Sequence, residues 1–495
     1  MRLFIAEKPS LARAIASGIG SGNRKNGYIE LDGGDTVVTW CFGHILQQLD
    51  PDEYDESLKK WSMDTLPIIP KEWKLKVSPK AKDQFKVVKD LIGKADIIVN
   101  AGDPDREGQL LVDEVLEFVG NKKPVKRILL NALDDKSVKQ ALANLRDNND
   151  FIGMRNSALG RSRADWLVGM NCSRAYTIKA REAGYDGSVP VGRVKTPTLA
   201  LVVRREEAIM NFKPTTHFGL KAIWEKNEQP VPTEWEIPSD LSDLDDEGRL
   251  LKCETAKEVL DAITGKNGTV VSVAKQKKTV WQRLPYSLSS LQIEAGRRFG
   301  YSPQVVLDTM QLLYEGKFTT YPRSDCDFLP ENQFAEAKDV IASIMAVPDE
   351  NIAELAQKAD LSIRSRAWND KKISAHHAII PTTVKPKYDS FSTEQKNLYC
   401  MVAQAYLAQF FPVHTFESTK VTLECEGYRF NGTGKQVLVN GWKDVYNGLK
   451  DEDEEKLPSL PEIDEGDVLP LKEGTVLEKV TKPPLYRQKK KPCLG

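Results

Sequence analysis

The chain has 495 residues, which at about 150 residues per domain is enough for roughly three domains, each able to bury its own core. Its 70 Lys and Arg nearly balance 71 Asp and Glu, for a formal net charge of −1, so a uniformly basic nucleic-acid coat is excluded and any polyanion site has to be local. Hydrophobic residues make up 40% and charged residues 28%, which excludes disordered, collagen-like and membrane-embedded chains.

The N-terminal part of the chain alternates the signals of strands and helices. Short apolar runs predict strands, and apolar residues at helical spacing, such as Leu11, Ile15 and Ile19, predict the helices between them. The strands are predicted at 2–6, 36–42, 96–101 and 125–130, and the helix after the third carries Leu111, Val115 and Phe118 on one face. Such alternation is typical of an α/β domain with a mostly parallel sheet.

The sharpest local feature is an acidic loop between the third predicted strand and the helix after it. Asp103, Asp105 and Glu107 alternate with other residues, so an extended turn would point all three carboxylates in the same direction. Glu7 and Lys8 follow the first predicted strand, and we expect them at the same edge, because sites in parallel sheets form at the carboxyl ends of strands. Carboxylates are ligands that Mg²⁺ prefers; the alternative is a solvated acidic turn that caps the helix.

The middle of the chain is predicted to be helical and then β-rich. Residues 154–212 hold ten Lys and Arg against five Asp and Glu, which concentrates positive charge in a neutral protein. From 214 to 275 the hydrophobic period shifts toward two, which indicates antiparallel strands. Helices are then predicted at 287–299 and 302–315, and further strands at 419–424, 436–439 and 475–480. This order predicts a β region interrupted by a helical insertion.

A tyrosine segment, residues 319–325, follows the second of these helices. Tyr321 is a candidate covalent nucleophile, because a phenol oxygen with cations or a base nearby is able to attack an electrophile. Arg323 lies two residues further on and suits a phosphate, which a guanidinium binds with two hydrogen bonds. Packing or turn formation is the commoner role of a Tyr-Pro pair, and spacing by itself does not decide between them.

Two of the five histidines, His376 and His377, are adjacent. Neighbouring side chains diverge on a helix or a strand, so both are not expected to bind one metal ion. One protonated histidine on a phosphate is the functional alternative to a buried structural residue. Trp61 and Trp166 lie in or near basic stretches, where they either stack on exposed bases or pack in the core.

Several familiar motifs are missing from the sequence. Gly434-Lys435 is followed by Gln436 and lacks the glycine spacing of a Walker A motif, which disfavours an ATP-driven motor. Neither an HEXXH motif nor the elbow of a serine hydrolase occurs. Seven cysteines without a C-x-x-C pair argue against a zinc ribbon or a disulfide framework and favour a reducing cytoplasm, and no stretch is long and apolar enough to span a bilayer.

Seven stretches, in order along nearly the whole chain, resemble the topoisomerase III group of the type IA DNA topoisomerases. They are 1–16 with Glu-Lys-Pro-Ser, 102–116 with Asp-Pro-Asp-Arg-Glu-Gly, 163–166 with Arg-Ala-Asp-Trp, 191–197, 285–291, 320–325 with Thr-Tyr-Pro-Arg-Ser-Asp, and 376–382 with His-His-Ala-Ile-Ile-Pro-Thr. Chance agreement of so many motifs in one order is negligible.

The resemblance implies a multidomain fold with α/β, α and β parts, in which a Toprim (Rossmann-like) domain joins helical and arched β domains in a torus. The implied divisions are a Toprim domain at 1–153, the first part of a helical, winged-helix-like DNA-binding domain at 154–213, the first part of the β arch at 214–275, a helical domain with the nucleophile at 276–388, the second part of the arch at 389–468, and the start of a return to the helical domain at 469–495. Relatives continue beyond a segment like that at Tyr486 with a helical stretch, whereas here a basic tail follows, so we expect a truncated domain.

The resemblance also implies roles for individual residues. Tyr321 would attack one DNA strand, leaving a 5′-phosphotyrosyl link and a free 3′-hydroxyl, without ATP because the bond energy is retained. Lys8, Arg323 and His376 would stabilise the phosphate, and Glu7 would deliver a proton to the departing 3′-oxygen. The residues assigned to Mg²⁺ are Glu7, Asp103, Asp105 and Glu107, and those assigned to the single-strand groove are Trp61, Trp166, Arg174, Arg181, Val191, Gly192, Arg193, Val194, Lys195 and Arg323.

Lys195 stands where the family usually has Gln, which adds a positive charge beside the groove. The implied partner is single-stranded DNA, or DNA with single-stranded regions, bound by a monomer in the bacterial cytoplasm at the nucleoid and not at a membrane. Two other functions stay open. A catalytically impaired DNA-binding remnant would follow from truncation, and a Toprim hydrolase or primase is disfavoured by the tyrosine and histidine segments.

Overall fold

The computed structural model describes residues 1–373, 376–446 and 457–484, and the chain divides into two compact units. Unit one holds Met1–Pro197 and Arg283–Phe410, and unit two holds Thr198–Gln282 and the chain from Phe411 onward. The acidic run at 451–455 and the basic tail after Tyr486 lie outside the described residues.

The described residues form short strands and helices at the start of the chain and longer ones later. The strands are β1 (Arg2–Ala6), β2 (Gly22–Lys25), β3 (Tyr28–Leu31), β4 (Thr36–Trp40), β5 (Leu46–Gln48), β6 (Leu75–Val77), β7 (Ile97–Ala101), β8 (Val125–Arg127), β9 (Arg146–Asp147), β10 (Thr216–Lys226), β11 (Gln229–Trp235), β12 (Asn267–Val280), β13 (His414–Cys425), β14 (Tyr428–Val439) and β15 (Val468–Val480). The helices are α1 (Pro9–Ile19), α2 (Pro51–Tyr54), α3 (Lys82–Lys94), α4 (Arg106–Phe118), α5 (Asp135–Ala143), α6 (Ile152–Glu182), α7 (Lys195–Met210), α8 (Cys253–Ile263), α9 (Leu288–Phe299), α10 (Pro303–Glu315), α11 (Ala337–Met345), α12 (Glu350–Lys358) and α13 (Thr393–Leu407). No helix in the described part of the chain is long and apolar enough to cross a bilayer.

Unit one contains a seven-stranded sheet in the order β2-β3-β4-β1-β7-β8-β9. Its centre is parallel, because β1 runs parallel to both β4 and β7, and β7 runs parallel to β8. Side chains of β1 alternate between two cores: Phe4 packs with Leu11 of α1 on one face, and Ile5 packs with Val88 of α3 on the other. Both faces of the central strands are therefore buried, and the predicted parallel α/β sheet is confirmed.

The N-terminal elements differ from the sequence predictions in small ways. The strand predicted at 125–130 ends at Arg127, where the chain leaves the sheet. Leu111 and Val115 of α4 are buried as expected, whereas Phe118 is exposed at the last turn of that helix. Its ring lies edge-on to Phe85 of α3, with 5.6 Å between the ring centres.

Helices α9 to α13 of unit one surround a separate apolar core. Both predicted helices at 287–315 are confirmed as α9 and α10, each with a serine that caps its first turn, Ser287 and Ser302. The core includes Leu313, Trp368, Tyr406 and Phe410. Helix α13, at Thr393–Leu407, lies in this unit, within the range that the implied division gives to the β arch.

Unit two is a closed barrel with the strand order β10-β11-β14-β13-β12-β15. Its centre is Trp224, whose ring lies 5.5 Å from that of Phe430 and whose indole N–H donates to Thr233 Oγ1 at 2.9 Å. Strands β10 to β12 come before the second helical part of unit one in sequence and β13 to β15 come after it. The predicted β region interrupted by helices is therefore confirmed.

Two glycines bring the loop after β7 into contact with the first turn of α4. A Cβ on Gly102 would lie 2.1 Å from the carbonyl oxygen of Gly108, and a Cβ on Gly108 would lie 2.4 Å from the carbonyl oxygen of Asp103. Only a residue without a side chain permits so close an approach of two backbones. The glycines thus fix the position of the acidic loop.

We expect Gly108→Ala to destabilise unit one by about 1 to 3 kcal/mol, because the loop backbone has to move to admit the methyl group. Gly93→Ala is the matched control, since Gly93 also lies in a helix and its Cβ would meet no atom within 4 Å. That variant should be neutral or more stable by roughly 0.5 to 1 kcal/mol. Urea unfolding of both proteins measures the difference, and equal stabilities would contradict the close approach.

Candidate active site

The carboxyl ends of β1 and β7 meet at one edge of the sheet, where Ala6 and Ala101 pair in register. The next residues contact one another: Lys8 Nζ donates to Asp103 Oδ2 at 2.9 Å, and the Asp103 backbone N–H donates to Glu7 Oε2 at 3.2 Å. The expectation that Glu7 and Lys8 share this edge with the acidic loop is confirmed.

Asp105 accepts a hydrogen bond with each of its carboxylate oxygens. Oδ1 accepts from the Gly108 backbone N–H at 2.7 Å and caps the N-terminus of α4. Oδ2 accepts from the Tyr321 hydroxyl at 2.8 Å. The extended turn predicted for this loop stops here, because α4 begins at the next residue, and the Glu107 carboxylate instead lies 3.6 Å from the Arg161 guanidinium.

Tyr321 is buried between the acidic loop and two other rings. Its backbone N–H donates to the carbonyl oxygen of Asn131 at 2.8 Å. Its ring lies edge-on to Tyr314, with 5.5 Å between ring centres, and is stacked on His376 at 5.1 Å. Tyr314 was not singled out from the sequence, although it lies near Tyr321 along the chain, at the buried C-terminal end of α10. These contacts hold the Tyr321 hydroxyl in one place beside Asp105.

Burial raises the pKa of both Tyr321 and Glu7. For Tyr321, burial and then the charges of Asp103 and Asp105 hold the pKa of the hydroxyl far above its ordinary value. For Glu7, burial and then the charge of Asp103 raise the pKa to about 7, while Lys8 opposes the shift. The phenol is therefore neutral in the resting protein, and Glu7 exchanges its proton near neutral pH.

Arg127 is a site residue that the sequence analysis missed. Its buried guanidinium donates to the carbonyl oxygens of Asn100, Gly102, Ile128 and Asp103, at distances between 2.7 and 3.2 Å. Burial lowers the pKa of Arg127 to about 10, so the side chain stays charged at neutral pH. A basic residue within a predicted buried strand was the available signal, since an unpaired arginine is rarely buried.

The two adjacent histidines have different surroundings. His376 lies against the Tyr321 ring, and burial lowers its pKa, an effect that the charges of Asp105 and Asp325 oppose. His376 is therefore the histidine that the structure brings to the acidic loop. The two residues before it, 374 and 375, lie outside the described part of the chain.

His377 is buried on a different side of the segment. Its Nδ1 donates to the Ala378 carbonyl oxygen at 2.8 Å, so its Nε2 is the acceptor for the Gln333 side-chain amide at 3.2 Å. Burial lowers the pKa of His377 to about 4. His377 is therefore a neutral, buried structural residue, which was one of the two alternatives that the sequence left open for the pair.

A cleft of about 920 Å³ opens beside Asp105. Its lining residues are Asp105, Arg106, Glu107, Gly153, Met154, Ser157, Arg161, Ser162, Asp165, Arg323, Asp325 and His376. An adjoining hollow of about 550 Å³ adds Arg193 to the arginines of α4 and α6. Arginine is the side chain best suited to bind phosphate groups, so the cleft offers phosphate sites next to the buried tyrosine.

Among the described residues, no three His, Cys, Asp or Glu side chains converge as a ready metal site. Asp103 Oδ1 is nevertheless buried without a hydrogen-bond partner, which leaves one carboxylate oxygen available for a cation. Mg²⁺ is commonly held by one or two carboxylates together with waters and phosphate oxygens. Asp103 therefore has an oxygen that fits this ion, and the assignments of Glu7, Asp105 and Glu107 to it stay predictions.

Two of the residues assigned to the DNA groove are buried in this structure. The Trp166 indole N–H donates to the Leu49 carbonyl oxygen at 3.0 Å. Arg174 donates to the Leu58 carbonyl oxygen at 2.6 Å, and its guanidinium lies 5.2 Å from the Trp61 ring centre. Both side chains support the chain between β5 and β6, and Trp61 is the more exposed of the two tryptophans, at 39%. Their contacts with DNA stay predictions.

The segment at 191–195 lies beside α6. The Val191 backbone N–H donates to Ser173 Oγ at 2.9 Å, and Arg193 Nε donates to Asp165 Oδ1 at 2.9 Å. Of the other residues assigned to the groove, Gly192 is partly buried, and Arg181, Val194 and Lys195 are exposed. The structure thus brings Arg193 to the hollow beside the cleft, while the DNA contacts of this segment stay predictions.

Family profiles match the two parts of the chain. A Toprim domain profile matches residues 2–133, and a DNA topoisomerase profile matches residues 150–491. The first covers the parallel sheet with the acidic loop, and the second covers the tyrosine, the histidine pair and the barrel.

Individual relatives agree with these profiles. The chain is 44% identical to DNA topoisomerase 3 of Vibrio cholerae and 43% identical to that of Haemophilus influenzae, in each case over 98% of this chain and 76% of the relative. The full-length topoisomerase I structure from Thermotoga maritima superposes with a TM-score of 0.68 at 21% identity, over 98% of this chain and 73% of that one. The latter likeness concerns the fold.

We expect the stability of unit one to fall between about pH 6.5 and pH 4, because His377 stays neutral in the folded state until its pKa of about 4, whereas the unfolded side chain binds a proton from about 6.5. The contribution is fully present above pH 6.5 and is lost as the pH falls. At about 1.4 kcal/mol per pKa unit, it amounts to a few kcal/mol. Thermal midpoints measured across this range should fall less for His377→Gln; equal slopes for both proteins would contradict the assignment.

Proposed function

The chain belongs to the topoisomerase III group of the type IA DNA topoisomerases, and on that premise we propose that Tyr321 cleaves one DNA strand, another strand passes through the break, and the break is resealed. The observation that carries the proposal is the 2.8 Å hydrogen bond from the Tyr321 hydroxyl to Asp105 Oδ2. In this hydrogen bond, a buried tyrosine hydroxyl with a raised pKa contacts a carboxylate oxygen that is able to accept its proton. Both groups lie at the edge of a cleft lined by arginines, which supports a role for Tyr321 as the nucleophile.

In the cleavage step, Tyr321 Oη forms a bond to phosphorus and the bond from phosphorus to the 3′-oxygen breaks. The phenol proton passes to Asp105 Oδ2, which already accepts it in a hydrogen bond. Glu7 gives its proton to the departing 3′-oxygen, which suits a carboxyl group whose pKa is about 7. The products are a 5′-phosphotyrosyl link and a 3′-hydroxyl, and the reverse step reseals the strand.

Three cationic or dipolar side chains would stabilise the added charge on the phosphate. Arg323 is exposed in the cleft two residues after the nucleophile, and His376 is stacked on the Tyr321 ring. Lys8 lies across the acidic loop, bonded to Asp103. Positive groups that are held in place before the reaction lower the barrier without having to reorganise.

Mg²⁺ would be held by Asp103 and Asp105, with Glu7 as a ligand only while it is deprotonated, and would supply positive charge to phosphate oxygens and to the carboxylates themselves. The buried, unpartnered Asp103 Oδ1 supports this assignment. Nucleotide hydrolysis is not required, because the energy of the broken phosphodiester is kept in the phosphotyrosyl bond, and the sequence has no Walker A motif.

The substrate we propose is single-stranded DNA, or duplex DNA with single-stranded regions. Arg106, Arg161 and Arg193 would bind successive phosphates in the cleft and its adjoining hollow, with Trp61 available to stack on a base. We further propose that the protein acts as a monomer on DNA at the bacterial nucleoid. The six-part division of the chain into Toprim, helical and arched domains belongs to the same proposal.

Tyr321→Phe is expected to abolish covalent capture of DNA while leaving DNA binding largely intact, because only the attacking oxygen is removed. Denaturing gels of a 5′-labelled or 3′-labelled oligonucleotide mixed with each protein measure the adduct and its polarity. The protein with Tyr321 should stay covalently attached to the fragment that carries the 5′-phosphate at the break, so the 3′-label should migrate with the protein. Binding without capture by either protein would leave a DNA-binding protein that lacks cleavage, and equal capture by the variant would exclude Tyr321.

Removal of Mg²⁺ with EDTA should stop relaxation of supercoiled DNA, and readdition of Mg²⁺ without ATP should restore it, since the carboxylates would otherwise repel the phosphate. Relaxation is read from agarose gels. Asp103→Asn is the companion variant, and it should raise the Mg²⁺ concentration needed for half-maximal activity. Full relaxation in EDTA, or a requirement for ATP, would refute this part of the proposal.

A further inference from the structure

Three lysines lie on the second half of β12. Many other lysines in the described part of unit two are neutralised by ion pairs, among them Lys226–Asp467, Lys252–Asp243, Lys266–Glu426, Lys472–Glu225 and Lys479–Glu234. For Lys275, Lys277 and Lys278, no carboxylate of the described residues lies within ion-pairing distance, although Glu417 of β13 stands opposite Lys277. The positive charge of this strand is therefore not balanced by described neighbours.

The same part of β12 is an edge with an exposed tryptophan at its end. β12 pairs with β15 only through residues 267–269 and with β13 as far as Val280, so one side of its second half has no strand beside it in the described structure. Trp281, the next residue, is 54% exposed. Trp281 therefore offers a broad aromatic ring for contact beside the lysines of this edge.

Alternation along β12 places Lys275 and Lys277 on one side, and Trp281 follows directly after the strand ends at Val280. Successive residues on one side of a strand are about 6.6 Å apart, which is close to the spacing of phosphates along an extended single strand of nucleic acid. Two ammonium groups at that spacing followed by an aromatic ring match the pattern of proteins that bind single strands without sequence preference, where cations track the backbone and rings stack on bases.

We infer that Lys275, Lys277 and Trp281 form a second binding surface for single-stranded DNA, on the barrel and separate from the cleft that holds Tyr321. The inference rests on the proposed function only in the choice of DNA as the ligand. A surface of this kind holds a stretch of strand that is not being cut. Lysines also protect strand edges from pairing with other chains, but that role does not account for the exposed ring of Trp281.

The test measures binding of fluorescent oligo-dT by anisotropy in the Tyr321→Phe protein, where no adduct forms. One probe has about 8 nucleotides, enough for one site, and the other has about 30, enough to reach a second. Lys275→Gln with Lys277→Gln, and separately Trp281→Ala, should weaken binding of the long probe about tenfold and leave the short probe unchanged. Trp281→Phe should retain most of the affinity, because it keeps a ring for stacking.

Salt dependence gives a second readout. Removing two phosphate contacts should lower the slope of log affinity against log salt by about 1.4, at roughly 0.7 per phosphate on a single strand. Lys221→Gln with Lys257→Gln is the matched control, since it removes two exposed lysines of unit two outside β12. The control should bind both probes as the parent protein does.

Several results would overturn the inference. These are unchanged affinity of the β12 variants for the long probe, an equal loss for both probes, or an equal loss for duplex DNA of the same length. Aggregation of the lysine variants with unchanged affinity of the monodisperse fraction would assign the lysines to edge protection instead. Forms of these variants that keep Tyr321 should still capture the short probe covalently; loss of capture in every protein, the parent included, refutes the proposed function and leaves the binding result standing.

Discussion

Burial of charge at the carboxyl edge of the parallel sheet is the constraint on which the site depends. Asp103 is almost completely buried, and a buried carboxylate is stable only with cations and hydrogen-bond donors close by. Lys8 supplies a direct partner at 2.9 Å from one side, and Arg127 lies beneath the loop and binds its carbonyl oxygens. The pKa of Glu7, the next carboxyl group at this edge, is raised by burial and then by the charge of Asp103. The raised pKa on which the proposed role of Glu7 as an acid depends thus arises from the same buried, crowded surroundings that the two cations stabilise.

Distant parts of unit one meet at this edge. Tyr321 is 216 residues from Asp105 in sequence, yet its hydroxyl and its backbone N–H both bond to the sheet region, the latter through Asn131. Tyr314 and Tyr321 belong to the same apolar cluster as the first strand and helix of the chain. The proposed nucleophile from one segment and the proposed acid from another are therefore held by one continuous core, so a change in that core affects the positions of both.

The sequence was most informative where function and local structure coincide. Apolar runs located β1 and β7, and the residues after them, Glu7 and Asp103, were placed together because strand ends of a parallel sheet share an edge. What the sequence did not reveal depends on partners far along the chain. Trp166 reads as a residue for stacking on bases, but its indole bonds to a carbonyl 117 residues earlier, a contact that no periodicity encodes.

The roles of Arg127 and His377 also depend on contacts that the sequence does not reveal. The buried guanidinium of Arg127 binds four carbonyl oxygens, three of them from residues 100–103, which only the folded sheet and loop bring next to Arg127. His377 differs from His376 by one position, and only the packing of Gln333 against it makes one histidine structural and leaves the other beside the nucleophile. Charge and residue type indicated the site, whereas burial decided the role of each residue within it.

Asp105 has two structural roles. One carboxylate oxygen caps the start of α4, and the other accepts a hydrogen bond from the Tyr321 hydroxyl. Loss of a helix cap typically costs about 1 kcal/mol, so replacing Asp105 with Ala would weaken the start of α4 as well as remove the contact with Tyr321. Asn, Ser and Thr also cap helices, so these residues would separate the two roles. If the proposed chemistry were lost in a descendant, the helix would still favour one of these four residue types at this position.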